Sequence, residues 1–381
     1  MISQKIDALL LNKTKTLSND KKITCIVKTI NFDKVKKILL ERKYEILNEY
    51  LFIKSFVLKL TKEEIIFLSN NLNVQYINSI VSAKALTYLS KKILNVDKTE
   101  LTGNGVTAAI IDTGVAPHLD FMLGKKRILE SVDFVNHKSY TYDDNGHGTF
   151  VCGVMGGSGA ESVLKFSGVA PGCDIISLKA LDKNGEANSN TILDAMEWIY
   201  NNHKEKKIKV VCMSFGSEPL GLLDPIMNGA EALWKEGIIV VSAAGNSGPE
   251  FQTIKSPGVS PKIITVGGLD DNRVDEITYN PAFFEVADFS SRGPAFNRFK
   301  PDVIAPAVDI KSCDRNGGYT ILSGTSVATP MIAGMMCLLC EKYKDITPDR
   351  AKQMLLRMCH PITYNKNLEG YGIPDFEKFI F

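Results

Sequence analysis

The spacing of apolar residues divides the chain into two parts, with the change at about residue 103. Between residues 22 and 78, the pattern predicts the order strand, helix, strand, strand, helix, strand. That order is the ferredoxin-like plan of a small α+β unit. Thr61-Lys-Glu-Glu64 has the form of a capping box and marks the start of the second helix, while Asp33 is expected to cap the first helix.

From residue 103 onward the apolar runs are continuous, which indicates strands covered on both faces. Helical segments at residues 190–202 and 222–235 separate several of these runs. Alternation of strand and helix predicts a parallel α/β sheet between layers of helices. We therefore predict two domains: residues 1–86, with a connector to about residue 102, and residues 103–381. The predicted strands of the second domain are 106–111, 175–178, 209–213, 238–243 and 263–266.

Charge is unevenly distributed along the 381 residues. The formal net charge of +2 is too small to indicate nucleic-acid binding. Residues 1–86 hold 15 Lys and Arg against 8 Asp and Glu, a net +7, so the remainder carries −5. Opposite charges would attract the two parts to each other, although a chance excess of surface lysines explains the numbers equally well.

The eight cysteines lie mostly inside apolar runs, and they lack the spacing with histidine that metal sites show. Cys337 and Cys340 form a C-x-x-C pair, but within an apolar segment, which favours a core role over redox or zinc chemistry. Scattered free thiols fit a reducing compartment. No secretory signal or membrane span is evident. We expect a cytoplasmic protein without membrane or nucleic-acid partners, and leave non-classical release open.

Ser326 is a candidate nucleophile. It follows a turn of small residues, Gly324-Thr325, and opens a strongly apolar segment that ends near Cys340. Such a segment predicts a buried helix, whose first N–H groups are unpaired and whose dipole is positive at this end. A serine needs a base, a group that orients the base, and donors for the oxyanion before it can react.

Asp112 and His147 are candidates for two of these roles. Asp112 ends the first strand of the predicted sheet, at the edge where open parallel sheets bind ligands. Its Asp-Thr-Gly triplet also occurs in aspartic proteases, but here it is present once, in an α/β pattern, and a structural turn residue is an equal alternative. His147 lies between two glycines, so neighbouring side chains leave its ring uncovered. A metal-ligand role is the alternative, although no second histidine stands at i+4.

Asn246 lies on a Gly-rich turn after a buried strand, in Ala244-Gly-Asn246. Its amide either shapes the turn or donates to an oxyanion. The three reactive residues come in the order Asp, His, Ser, which differs from that of α/β-hydrolases and of chymotrypsin-like enzymes.

Four ordered motifs resemble those of subtilisin-like (S8) serine proteases, and they cover about residues 103–375. The chain is closest in character to intracellular bacterial members. The resemblance implies a subtilisin-like three-layer α/β domain with a parallel sheet, preceded by a small ferredoxin-like α+β prodomain. The motifs are Asp112-Thr-Gly, His147-Gly-Thr, Ala244-Gly-Asn246 and Gly324-Thr-Ser326-Val-Ala-Thr-Pro330.

The same resemblance assigns roles to residues. Ser326 would be the nucleophile, His147 the general base and acid, and Asp112 the residue that orients the imidazole. The side chain of Asn246 and the N–H of Ser326 would form the oxyanion hole. The residues that would hold the substrate are Ser214, Phe215 and Gly216, which pair with its backbone, and Ala243, Ala244 and Gly245, which form the opposite wall of the S1 pocket.

Lys255 would lie at the base of the S1 pocket, where a cation favours acidic P1 residues. Residues 65–96 contain no Asp or Glu at which the chain could cut itself. Their absence speaks against a preference for acidic P1 residues.

Residues 1–86 resemble the family's prodomain, an intramolecular chaperone and inhibitor. Autocleavage is expected in the connector, near Leu86, so that the mature protein begins between residues 80 and 102. Residues 157–167 lack the Asn-rich calcium loop of secreted members. We expect no required cofactor and no tight calcium binding at that loop.

The sequence therefore predicts a serine endopeptidase made as an autoprocessed zymogen, with polypeptides and its own prodomain as partners. Two alternatives remain: a catalytically silent pseudoprotease that serves as a regulatory scaffold, and a dedicated maturation protease for one precursor.

Overall fold

The computed structural model divides the chain into two units, Met1–Ala83 and Lys84–Phe381. Each unit has a hydrophobic core of its own. The residues that the structure describes are 5–6, 10–11, 21–79, 87–273 and 280–379.

The first unit is an antiparallel sheet of four strands with two helices. In chain order these are β1 (Ile23–Thr29), α1 (Phe32–Glu41), β2 (Glu45–Tyr50), β3 (Ser55–Leu60), α2 (Lys62–Ser69) and β4 (Val74–Ser79). The order across the sheet is β2-β3-β1-β4. Buried side chains of both helices, among them Leu39 and Ile65, join those of the strands in one core.

The two helices of this unit are capped in different ways. The Oγ1 of Thr61 accepts the N–H of Glu64 at 3.3 Å, and the Glu64 carboxylate accepts the N–H of Thr61 at 2.7 Å, which completes the predicted capping box. The predicted cap of α1 is wrong. Asn31 accepts the N–H of Lys34 at 3.1 Å, and Asp33 lies inside the first turn instead.

Eight strands form the main sheet of the second unit. They are β5 (Thr107–Asp112), β6 (Ile128–Asp133), β7 (Asp174–Lys179), β8 (Ile208–Met213), β9 (Ile239–Ala243), β10 (Ile264–Asp270), β11 (Glu285–Val286) and β12 (Val303–Pro306). Seven of them follow the order β11-β10-β9-β8-β5-β7-β6, and β12 pairs with β10. All pairs are parallel except β10 with β11. Strand β5 is buried along its whole length, as expected when helices cover both faces.

Helices pack against this sheet in two pairs. The helices of the unit are α3 (Thr87–Ile93), α4 (Leu119–Met122), α5 (His147–Gly156), α6 (Ser189–Asn202), α7 (Pro225–Lys235), α8 (Thr325–Lys342), α9 (Pro348–Arg357) and α10 (Lys366–Glu369). Helix α5 packs on α8, and α6 packs on α7. Helix α8 is apolar around most of its circumference, because it lies against β8, β9 and β10 as well as against α5. Two short antiparallel pairs complete the unit: β13 (Ile310–Cys313) with β14 (Tyr319–Leu322), and β15 (Cys359–His360) with β16 (Ile373–Pro374).

The segment that begins with α3 belongs to the second unit, although the sequence assigns residues 87–102 to a connector. Leu94 and Val96 are buried in the core of this unit. The amide of Asn95 donates to Asp375 at 2.9 Å, and Lys98 pairs with Glu377 at 2.5 Å. Among the helices of the described residues, none has the length and apolar character needed to cross a bilayer.

Candidate active site

The candidate site residues lie at one edge of the main sheet. Asp112 is the last residue of β5, and Met213 and Ala243 end the neighbouring parallel strands β8 and β9. Asn246 follows β9 by three residues. Because parallel strands end at the same edge, Asp112 and the turn of Asn246 lie about 10 Å apart across the end of β8. This is the edge at which open α/β sheets bind their ligands.

Asp112 and His147 form a hydrogen-bonded pair. The Nδ1 of His147 lies 2.7 Å from the Oδ1 of Asp112, whose residue is 1% exposed. The same oxygen accepts the N–H of Thr113 at 2.7 Å. With Nδ1 facing the carboxylate, the proton of the neutral imidazole resides on Nδ1, and Nε2 is available as a base. The His147 side chain is 24% exposed, so this second nitrogen is accessible.

The environment of His147 shifts its protonation. Burial of the imidazole disfavours the charged form, but the charge and the hydrogen bond of Asp112 outweigh burial, with a further contribution from Asp143. The pKa of His147 is therefore raised above its ordinary value. The carboxylates of Asp112 and Asp143 thus make the imidazole a stronger base and stabilise the imidazolium that proton transfer would form.

Asp143 holds the loop that carries His147, and the sequence analysis missed it. One carboxylate oxygen accepts the Thr113 hydroxyl at 2.9 Å and the N–H groups of Asn145 and Gly146 at 3.1 and 2.8 Å. The other accepts the N–H and hydroxyl of Thr149 at 2.8 and 2.7 Å. Asp143 therefore ties the start of α5 to the residue after Asp112. An acidic residue just before a helix is the signal that could have found it.

Asn246 is oriented by the residue that precedes Ser326. Its Oδ1 accepts both the N–H and the hydroxyl of Thr325, each at 2.9 Å. The Nδ2 of Asn246 therefore faces away from Thr325. A Cβ placed on Gly324 would lie 3.2 Å from this Nδ2 and 3.3 Å from the Oγ of Ser326, so both groups border the same space beside Gly324. Any side chain on Gly324 would intrude into that space.

Ser326 and His147 begin two helices that pack together. Ser326 is the second residue of α8, so its N–H has no partner within the helix. Gly334 of α8 lies against the backbone of Met155 of α5. Ser326 borders the same space as Asn246, and His147 is bonded to Asp112, so both reactive residues lie at the same edge of the sheet. No hydrogen bond joins the Oγ of Ser326 to His147 in the described chain.

Comparison with known proteins identifies the larger unit. Residues 103–373 match the sequence pattern of subtilases. The chain belongs to the subtilase family. Serine protease AprX of Bacillus subtilis is 40% identical to it over an alignment of 312 residues, and the match covers 75% of this chain and 69% of AprX. The thermostable alkaline protease of Halalkalibacterium halodurans is 28% identical over 380 residues, or 98% of this chain and 95% of that protein.

Solved structures agree with this assignment. Sphericase has a TM-score of 0.65 at 26% identity, over 77% of this chain and 99% of its own. A cold-adapted subtilisin-like serine proteinase has a TM-score of 0.57 at 29% identity, over 73% of this chain and 89% of its own. The resemblance stated from the sequence and the subtilisin-like α/β fold are confirmed. This subtilase is a subtilisin-type serine endopeptidase.

Lys255 of the subtilase lies between the two segments that the sequence assigns to substrate binding. Its N–H donates to the carbonyl of Ala244 at 2.8 Å, and its side-chain carbons lie against the backbone of Gly216 and of Gly245. Its ammonium group is paired with the carboxylate of Glu218. The sequence predicts a cation at this position but does not indicate its partner, because Glu218 stands 37 residues earlier.

The loop at residues 157–167 is held by hydrogen bonds to Asp120. Its carboxylate accepts the N–H groups of Gly159 and Glu161, each at 3.0 Å, and the hydroxyl of Tyr319, also at 3.0 Å. Cys313 donates its thiol to the same carboxylate at 3.5 Å. Calcium needs converging oxygen acceptors, whereas this loop presents N–H donors to the carboxylate. The carboxylate of Asp120 is thus engaged by N–H, O–H and S–H donors of the protein.

His118, Asp120 and Cys313 stand close enough for ligand atoms to lie within 4.8 Å of one another, and all three are buried. Both ring nitrogens of His118 are engaged already. Nδ1 accepts the N–H of Asp120 at 3.0 Å, and Nε2 lies 2.8 Å from the carbonyl of Gly318. The cluster is thus occupied by its own hydrogen bonds, and we assign it a structural role.

Proposed function

We propose that this subtilase hydrolyses peptide bonds through Asp112, His147 and Ser326, and that it is made as a zymogen. The observation that carries the proposal is the 2.7 Å bond between His147 and the buried Asp112, at the same edge of the sheet as Ser326. This pairing leaves Nε2 of His147 free to take the proton of the Ser326 hydroxyl.

The reaction begins when the Oγ of Ser326 attacks the scissile carbonyl carbon and His147 removes its proton. The oxyanion that forms accepts hydrogen bonds from the Nδ2 of Asn246 and the N–H of Ser326. His147 then gives the proton to the leaving amine, and the acyl-enzyme remains on Ser326. A water, deprotonated by His147, attacks the ester carbon; the bond from that carbon to the Oγ of Ser326 then breaks, His147 returns the proton to Oγ, and the acid product leaves. Asp112 keeps the imidazole oriented throughout and stabilises its charged form.

A fluorophosphonate probe tests the nucleophile directly. We expect it to label the full chain, and labelling to disappear in Ser326→Ala while it persists in Ser323→Ala. Ser323 is a matched control because it is an exposed serine three residues earlier, whose Oγ accepts the N–H of Asp309 at 2.8 Å. Absence of labelling in folded, processed protein would instead favour the silent scaffold.

The unit Met1–Ala83 is proposed as the prodomain. Its excess of positive charge against a negative remainder supports this role. Leu86, near which cleavage is expected, lies outside the described residues. Leu94 and Val96 are buried in the second unit, so cleavage within residues 90–102 would require local unfolding. We therefore place autocleavage before Thr87. N-terminal sequencing of active protein checks this, and a start after Thr87, or at Met1 only, would contradict it.

The substrate class proposed is polypeptide, bound as an added strand by Ser214, Phe215 and Gly216. General turnover and maturation of a single precursor differ in selectivity, so a profile of cleaved peptides distinguishes them. Seven of the eight cysteines are buried, and Cys359 is half-buried. This usage supports work in a reducing compartment.

A further inference from the structure

Residues 214–216 and 243–245, the two segments assigned to substrate binding, enclose a space that we call the slot. It adjoins the proposed reaction centre. Gly245 precedes Asn246, and its N–H donates to the hydroxyl of Thr325 at 3.2 Å. Thr325 in turn precedes Ser326. A substrate whose carbonyl lies between Asn246 and Ser326 must therefore place the neighbouring side chain, P1, beside Gly245.

Lys255 fills the far part of this slot. A Cβ on Gly216 would lie 2.6 Å from the Cβ of Lys255, and a Cβ on Gly245 would lie 2.5 Å from its Cγ. The aliphatic part of Lys255 is thus in contact with both walls. The segment is anchored as well, because Ser217 and Ser256 exchange two backbone hydrogen bonds of 2.9 Å. The position of Lys255 is set by the fold and does not depend on its charge.

The ammonium of Lys255 and the carboxylate of Glu218 differ in their contact with solvent. The Lys255 side chain is 19% exposed, whereas that of Glu218 is 80% exposed. An ion pair with one partner in water is weak, because solvent screens it and the mobile side chain loses conformational freedom. Another carboxylate that enters the slot can therefore replace that of Glu218 at little cost.

We propose that Glu218 is a specificity-determining residue of this protease. In the free enzyme the carboxylate of Glu218 is paired with the ammonium of Lys255. When substrate binds, the carboxylate of an acidic P1 side chain replaces that of Glu218. The enzyme then accepts Asp or Glu at P1, and Glu218 reduces that preference by competing for the same cation. This inference rests on the proposed function, since it needs peptide cleavage at Ser326.

The test compares peptides that are identical except for Glu, Gln or Leu at P1. Glu and Gln have the same shape, so the ratio of their kcat/KM values isolates the charge. We expect Glu218→Gln to raise the Glu/Gln ratio roughly two- to fivefold, the value of a surface ion pair, and to leave Leu cleavage unchanged. Lys255→Met keeps the aliphatic stem without the charge and should remove the preference for Glu over Gln.

A matched control is Glu377→Gln, which breaks an exposed Glu–Lys pair elsewhere in the same unit. It should leave the ratio unchanged. A higher ionic strength should lower the Glu/Gln ratio of Glu218→Gln more than that of Lys255→Met.

Two outcomes would overturn the inference. If Glu218→Gln labels normally with the fluorophosphonate, cleaves the Leu peptide and keeps the parental Glu/Gln ratio, Glu218 does not set specificity, whatever Lys255→Met does, while the proposed function stands. If folded parental protein neither labels nor cleaves, the proposed function fails, and this inference fails with it.

Discussion

Asp143 offers a sharp test of how the site is held together. Its carboxylate accepts five hydrogen bonds, which join Thr113 to the loop and first turn that carry His147. Asp143→Asn keeps the shape of the side chain but replaces one oxygen by an NH2 group. If the remaining oxygen keeps the bonds to Thr113, Asn145 and Gly146, the new NH2 group faces the N–H of Thr149.

Two donors cannot bond to each other, so the N–H of Thr149 loses its acceptor in a buried position. A lost bond to a charged group costs about 1.5–3 kcal/mol, and an unsatisfied buried donor about 1–3 kcal/mol. The two figures overlap in what they count, so we expect Asp143→Asn to lower the free energy of unfolding by about 3 kcal/mol. The substitution also removes a negative charge that raises the pKa of His147.

The change should appear in two assays. Denaturant unfolding, carried out in a Ser326→Ala background to prevent self-digestion, reports the loss of stability. The pH profile of kcat/KM reports His147, which must be neutral to act as base. Since the pKa of His147 falls when the charge of Asp143 is removed, the acidic limb of the profile should move to lower pH.

Asp144→Asn is the matched control, because it removes a charge from the adjacent residue. Asp144 pairs with the buried Lys179 at 2.7 Å and has no part in raising the pKa of His147. It should lower stability without moving the acidic limb. An acidic limb of Asp143→Asn that stays in place, or moves to higher pH, would refute the electrostatic part of this reasoning. Unchanged stability would refute the structural part.

Three further predictions concern other parts of the second unit. Thr325→Val removes one of the two bonds that orient the amide of Asn246, so kcat should fall about fivefold with KM unchanged, and Thr325→Ser should restore it; a rise in KM alone would contradict this role. Asp302 is buried and bonds the ammonium groups of Lys300 and Lys352 at 2.7 and 2.8 Å. Asp302→Asn should therefore lower the free energy of unfolding by about 3–5 kcal/mol. The control Glu45→Gln, at an exposed pair of the first unit, should change it little. Because protein donors satisfy Asp120, chelation of calcium should leave the thermal midpoint unchanged, and Asp120→Ala should lower it; a drop on chelation would show that calcium does stabilise the fold.

Much of the fold could be predicted from local patterns in the sequence. The buried strand β5 and the apolar helix α8 are continuous apolar runs, and the capping box at Thr61 depends on residues three positions apart. Strands β6 and β12 were missed. The first has polar residues, Glu130 and Ser131, in the middle and one exposed and three half-buried positions, and the second has only four residues and ends in a proline, so neither forms a long apolar run. Asn31, which caps α1 in place of Asp33, shows that two polar residues of similar capping strength two positions apart cannot be distinguished by pattern alone.

In the candidate site, too, some residues could be predicted from local patterns and others could not. The motifs around Asp112, His147, Asn246 and Ser326 are local, because each residue needs a particular turn of small residues beside it. The partners that adjust the site come from elsewhere in the chain. Glu218 reaches Lys255 across 37 residues, and Asp143 reaches Thr113 across 30. Such pairs form because the sheet brings the ends of distant strands together. Their spacing along the chain does not predict them.

The bonds from Asn95 to Asp375 and from the N–H of Phe376 to the carbonyl of Leu94 have a consequence for the growing chain. A ribosome makes the segment around Asn95 early, but its partners are added 280 residues later. Until residues 375 and 376 have been made, these two bonds cannot form, although Lys91 of the same segment already finds the hydroxyl of Ser167 at 3.0 Å. The order of synthesis therefore makes full attachment of this segment a late step in the folding of the second unit.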